Sequence, residues 1–118
     1  MRTHKDLEAW RLSIKLAGEV YQLTEDYPKT EIFGITSQMK RAAVSIGANI
    51  AEGAARQSRK EFMYFLHIAM GSASELDTLI EISRVTNLTD HYKLNKLQEH
   101  LTIISKMLNN LLKRLKVK

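Results

Sequence analysis

Cysteine is absent from the 118 residues, which excludes a disulfide framework and any thiolate metal site. A single proline, Pro28, and five glycines leave few points at which a helix must break. No stretch approaches the roughly 18 to 20 apolar residues that would span a bilayer. The opening, MRTHKDLEAW, has neither an apolar signal core nor a small-residue cleavage site. Alternating strand patterns, internal repeats and low-complexity tracts are missing as well. The expectation is one domain over residues 1–118 in a reducing, cytoplasmic setting. A chain of this length buries roughly two-thirds of the surface it exposes when unfolded.

What the chain does contain is helical periodicity, in four segments expected at about 6–26, 35–56, 59–86 and 90–116. In the first, Leu7, Trp10, Ile14, Ala17, Tyr21 and Thr24 recur at spacings of three and four, and Leu12, Leu16, Val20, Leu23 and Tyr27 form a second stripe roughly opposite. Two apolar stripes exceed what one intrachain contact needs, so this helix is expected to be covered twice, once by its own bundle and once by another subunit. Pro28 ends it, because proline disfavours helical geometry in the residue before it. The second segment has Thr36 or Ser37 as its expected cap. Its centre, AAVSIGANIA at 42–51, carries no charge and little bulk, which predicts close packing all round. Gly47 in mid-helix, at a cost of about 1 kcal/mol relative to alanine, points to close contact or a bend.

The third segment opens with Ser58-Arg59-Lys60-Glu61, the spacing of a capping box. Phe62, Leu66, Ala69, Ala73, Leu76, Ile80 and Ser83 follow on one face, and the small stretch at 69–74 is expected against the small centre of the second helix. The fourth begins near Thr89 or Asp90. Its seam is Leu94, Leu97, Leu101, Ile104, Leu108, Leu111 and Leu115. Short connections between long helices predict an all-α, antiparallel, up-down-up-down four-helix bundle.

Catalytic signals are weak. A carboxylate-bridged di-iron site in a bundle needs a Glu three residues before a His on two helices. The residues three before His4, His67, His91 and His100 are Met1, Tyr64, Leu88 and Leu97. No metal or cofactor is therefore expected, and His67 reads as a partly buried hydrogen-bonding residue. No serine sits in a nucleophile elbow and no glycine-rich loop could cradle phosphate. Asn49, Glu52 and Gly53 look most like a site. A carboxylate beside so apolar a segment must be paired, with Arg41 or Arg56 as partner. The favoured reading is a polar network fixing helix register or a subunit contact, with a ligand or nucleic-acid contact as the alternative.

The formal net charge is +5. Residues 88–118 hold seven Lys or Arg against Asp90 and Glu99, so the excess sits in the last segment and the rest of the chain sums to zero. A basic final turn also complements a helix dipole, which explains part of this pattern without a ligand. Two clusters suit phosphate contacts, Arg56, Arg59 and Lys60 at the second turn and the tail from Lys106 to Lys118. Neither reads as interleaved with exposed aromatics, since Trp10, Phe62 and Phe65 fall on core stripes.

The run SQMKRAAVSIGANIAEGAARQSRKEF at 37–62 resembles the signature of the four-helix-bundle proteins encoded within intervening sequences of large-subunit ribosomal RNA genes, a family that also goes by a ribosomal-protein name. Leu7, Trp10, Tyr21, Thr24, Pro28, Glu31, Phe33, Gly34, Thr36 and Gln38 extend the likeness, as do Phe65, Leu66, Ala69, Gly71, Ser72, Glu75 and Leu76. The family commonly has proline where this chain has Gly47, so the kink it implies is softer here. The resemblance implies a barrel-like homopentamer. It also implies kinship with accessory proteins of diversity-generating retroelements, which bind nucleic acid and a reverse transcriptase through basic surfaces.

The resulting expectation is a non-enzymatic homo-oligomer that binds RNA or DNA, with Arg41, Arg56, Arg59, Lys60, Lys113, Arg114 and Lys116 as contacts. The rival is a protein-interaction scaffold for an acidic partner such as a reverse transcriptase. An enzyme with an unrecognised site at Asn49 and Glu52 is a third, weaker reading.

Overall fold

The computed structural model describes residue 4 and residues 7–116. The expected helix start at Asp6, and Lys118 of the basic tail, lie outside the described residues. Among the described residues there are four long helices: α1 (Glu8–Thr24), α2 (Ser37–Ala54), α3 (Arg59–Val85) and α4 (His91–Lys116). There is no strand among the described residues. The molecule measures 46 × 21 × 19 Å, the proportions of helices lying side by side.

The helix ends follow from local chemistry. Ser58 Oγ accepts the Glu61 backbone N–H at 3.0 Å and lies 3.1 Å from the Glu61 carboxylate, which starts α3. Asp90 Oδ1 accepts the Tyr92 N–H at 2.9 Å and starts α4. At the far end of α3, Asn87 adopts φ 54°, and the N–H groups of Asn87 and Leu88 return to the carbonyls of Arg84 and Ser83. Asparagine tolerates that left-handed geometry, so the last carbonyls of α3 find donors.

The 27–34 connection differs from the sequence reading. After Pro28 the chain makes a 3₁₀ turn (Lys29–Glu31) and a wide π-type turn (Ile32–Thr36), with non-helical backbone at Gly34. Helical geometry thus begins before α2, and the carbonyls of this run already serve the first amide groups. Neither Thr36 nor Ser37 caps anything: Thr36 is itself helical (φ −58°, ψ −51°), and no side-chain cap bond is present.

One continuous core runs down the middle. Leu16, Met39, Ile46, Ile50, Leu66, Leu76, Ile80, Leu94, Ile104 and Leu108 are fully buried. On α1 the core takes the stripe of Leu16, Val20, Leu23 and Tyr27, while Ile14 and Tyr21 from the other stripe stay half exposed. On α2 one subunit does not supply burial all round, since Val44 and Ala48 face outward. A helix in a four-membered bundle has neighbours on two sides, and the third face is left over. On α4 burial passes from Leu108 to Leu112, with Leu111 and Leu115 half-buried. A straight helix drifts about 20° per heptad from a 3.5 repeat, enough to shift the seam by one residue over three heptads.

Small residues set the tightest approaches. A Cβ at Gly53 would stand 2.9 Å from both Phe62 Cδ1 and Phe65 Cβ, and one at Gly47 would stand 2.8 Å from Ser13 Oγ. Gly47 therefore serves close contact between α1 and α2, and α2 continues through it unbroken. Within the core, the Tyr27 hydroxyl donates to Ser83 Oγ at 2.6 Å.

Candidate functional site

The three residues that looked most like a site do separate jobs. Asn49 donates from Nδ2 to the Ser45 carbonyl at 2.9 Å and lies 3.0 Å from Ser45 Oγ; that hydroxyl is 2.8 Å from Ser72 Oγ on α3. Glu52 instead pairs one turn on with Arg56, at 2.5 Å. Gly53 gives α3 room to pass. The structure does not join Asn49 to Glu52, and of the two arginines considered for Glu52 it selects Arg56.

Arg56 is also 3.9 Å from Glu61, and its guanidinium carbon sits 5.0 Å from the Phe65 ring centroid. Stacked and paired with Glu52, with Glu61 at longer range, it is held in place. Arg59 and Lys60, exposed on the first turn of α3, stand at the positive end of that helix. A cation there is disfavoured by roughly 0.3–1 kcal/mol. The dipole of α3 therefore does not account for Arg59 and Lys60. Tyr64, one turn beyond Lys60, is 62% exposed. The view that no exposed aromatic accompanies this cluster is thus corrected. The four-residue spacing of Lys60 and Tyr64 was the signal that could have found it.

Lys113, Arg114 and Lys116 are exposed on the last turn of α4, where cations are favoured. Arg114 lines a groove of about 250 Å³ shared with Leu7 and with Glu8 and Ala9 of α1. Arg41 stands apart from the other six. It lies on the first turns of α2, beside Lys40, whose ammonium is 4.7 Å from the Tyr21 ring centroid. Thirteen positions separate Arg41 from Ala54, the last residue of α2, about 20 Å along the axis, and Arg56 lies two residues beyond.

Several titratable side chains elsewhere have structural partners. The Arg84 guanidinium, with Gln98, holds the Glu81 carboxyl below its usual range, and Asp26 raises Lys93. His67 is exposed, contrary to the partly buried role expected of it. His100 Nδ1 meets Glu19 at 2.7 Å. No group of three or more histidines and carboxylates that could hold a metal ion occurs among the described residues.

A family model described as 23S rRNA-intervening sequence protein matches residues 5–110 of the chain. A crystal structure of a protein of unknown function from the S23 ribosomal protein family of Bacteroides thetaiotaomicron is similar at 27% identity. It covers 89% of this chain and 98% of that one, with a TM-score of 0.83. No curated protein matches.

Proposed function

The chain belongs to the 23S rRNA-intervening sequence protein family, and from that premise we propose a non-enzymatic, cytoplasmic homo-oligomer that binds RNA or DNA through phosphates at one end of an antiparallel bundle. The contacts between helices support the antiparallel course. Along α1 and α4, Leu7 shares a groove with Leu111, Glu19 meets His100 and Asp26 meets Lys93, so positions climb on one helix as they fall on the other. Ser13 at Gly47 and Tyr21 beneath Lys40 have the same sense for α1 and α2. Gly53 at Phe62 and Ser45 at Ser72 have it for α2 and α3.

In such a bundle Arg56, Arg59, Lys60, Lys113, Arg114 and Lys116 share one end. The observation that carries the reading is Arg59 and Lys60, cations placed against the dipole of α3 and next to the exposed Tyr64. Phosphate contacts give affinity without sequence readout, and an aromatic face beside them suits an unpaired base. Assembly follows from the stripe one subunit leaves uncovered, with Ile14 50% and Val44 48% exposed. The pentameric barrel that the family likeness implies would cover it and repeat the basic end five times, so weak sites add through avidity.

The test is fluorescence anisotropy with single-stranded RNA and duplex DNA across a salt series. Three phosphate contacts per bound site predict a slope of about −2 in log affinity against log salt on single strands. Reversing Arg59 and Lys60 to glutamate abolishes binding at moderate salt. A flat salt response, or no binding at low salt, would falsify the reading. A nuclease-resistant complex with an acidic protein and no nucleic-acid binding would assign the scaffold role instead.

A further inference from the structure

A second site lies away from the basic end, where the turns after Pro28 meet α1 and α2. A groove of about 610 Å³ opens there, within the range of small-molecule sites. Its cationic lining is Lys29, Lys40 and Arg41, with Glu25 the one carboxylate among the lining residues. Phe33 borders it and is 97% exposed, an unusual position for a phenylalanine. The Tyr21 ring, on the same groove, already carries the Lys40 ammonium against its face, so Phe33 is the aromatic face open to a ligand.

Thr36 supplies the second, independent observation. Its side chain lines the groove and is 6% exposed, and its Oγ1 has no hydrogen-bond partner. A buried hydroxyl left unsatisfied is costly, and native structures rarely keep one without a reason. Threonine in a helix has two χ1 rotamers open to it, so the hydroxyl can turn toward an occupant. Ser37, next in sequence, adds another hydroxyl to the lining.

We propose that this groove binds a nucleoside phosphate, with the base stacked on Phe33 and the phosphate held by Lys29, Lys40 and Arg41 and the Thr36 hydroxyl. Glu25 suits a ribose hydroxyl as hydrogen-bond donor. A bare anion would leave Phe33 without a partner, and a neutral aromatic would leave three cations unmatched. The shared chemistry has two sources, a free mononucleotide and one unit of a single strand. The site stands independently of the basic end, because Arg41 lies about 20 Å along α2 from its last residue, Ala54, which Arg56 follows.

The experiment is an NMR titration of the ¹⁵N-labelled full chain with adenosine monophosphate, adenosine, inorganic phosphate and a short oligoadenylate. Adenosine monophosphate is expected to shift amide signals around residues 29–41, with adenosine and phosphate each binding at least about tenfold more weakly. Phe33→Ala weakens the nucleotide about tenfold and leaves phosphate unchanged. Thr36→Val weakens both, and Thr36→Ser, which keeps the hydroxyl, restores them. Oligoadenylate binding more tightly than the mononucleotide identifies a strand as the occupant, and equal binding identifies the free nucleotide. Phosphate binding as well as the nucleotide would overturn the proposal. So would an unchanged affinity in Phe33→Ala, or a Phe33→Ala variant whose sole defect is a smaller assembly, since Phe33 would then face another copy.

Discussion

The seam between α2 and α3 and the seam between α1 and α4 are built on opposite plans. Of the four pairs of neighbouring helices, α2 and α3 touch most extensively and α1 and α4 least. Glycine, alanine and serine line the first, so the backbones approach until Gly53 meets Phe62 and Phe65, and Ser45 reaches Ser72. The second is held apart by leucines and crossed by long polar side chains, with His100 on Glu19 and Lys93 on Asp26. Three grooves, of about 270, 60 and 250 Å³, lie along it. Side-chain size sets the spacing between helices, and spacing decides whether a seam can tolerate change.

The largest effect expected from breaking this contrast is at Gly53. A methyl there meets Phe65 Cβ at 2.9 Å and the Phe62 carbonyl oxygen at 3.1 Å, neither of which can swing aside. Gly53→Ala should destabilise by about 1–3 kcal/mol despite its better helix propensity. Gly18 has nothing within 4 Å of the same atom, so Gly18→Ala should stabilise by up to about 1 kcal/mol. Urea midpoints at matched protein concentration check the pair. Equal shifts of one sign would erase the distinction between close and open helix faces.

These same residues show how much the sequence disclosed. The four helices and the cap at Ser58 were legible because a 3.6-residue period and a side-chain acceptor are local signals. The small stretches of α2 and α3 were legible as partners because close approach tolerates little else. Other features depend on accumulated geometry. The seam of α4 slides to Leu112 through a drift that no short window reveals. The turns at 29–36 follow a proline that reads as a boundary, yet the chain resumes helical geometry at once. Phe33 scans as one more apolar residue, and its exposure exists only once those turns have placed it. The basic residues could be listed from the sequence, but the separation of Arg41 from the rest required the fold.

Tyr27 sharpens the contrast between buried and exposed polar contacts. Its hydroxyl donates to Ser83, and Tyr27→Phe should cost about 1 kcal/mol at neutral pH. Burial pushes its pKa up from 10.0, with the Ser83 bond pulling the other way. Because the folded value lies above the unfolded one, the contribution is complete below pH 10 and is lost as pH rises through the folded value. Thermal melts should therefore fall more steeply above about pH 10 in the parent chain than in Tyr27→Phe. Parallel curves would mean that the phenol is not buried in solution.

A smaller difference separates the two polar bridges. A double-mutant cycle on Ser45 and Ser72 should return a coupling of about 1 kcal/mol, and one on Glu19 and His100 about 0.5 kcal/mol or less. The hydroxyl pair sits in the close seam, where water cannot replace either partner cheaply. Both side chains of the Glu19 pair retain access to solvent, at 30% and 42%. A larger coupling for Glu19 and His100 would reverse the ranking of the seams.

The smallest effect is expected at Lys93 and Asp26, which meet at 2.8 Å with side chains 52% and 47% exposed. Asp26 raises the Lys93 pKa through a hydrogen bond and then through its charge, so the attraction operates below the ordinary lysine value and fades above it. At neutral pH it is therefore fully present, and any worth it has should be measurable there. Water and salt screen so exposed a pair, and ordering two long side chains offsets most of what remains. Asp26→Asn should leave the melting temperature unchanged within error at neutral pH, at low salt as at high. A clear loss at low salt that vanished at high salt would mean that charge does for the open seam what small side chains do for the close one.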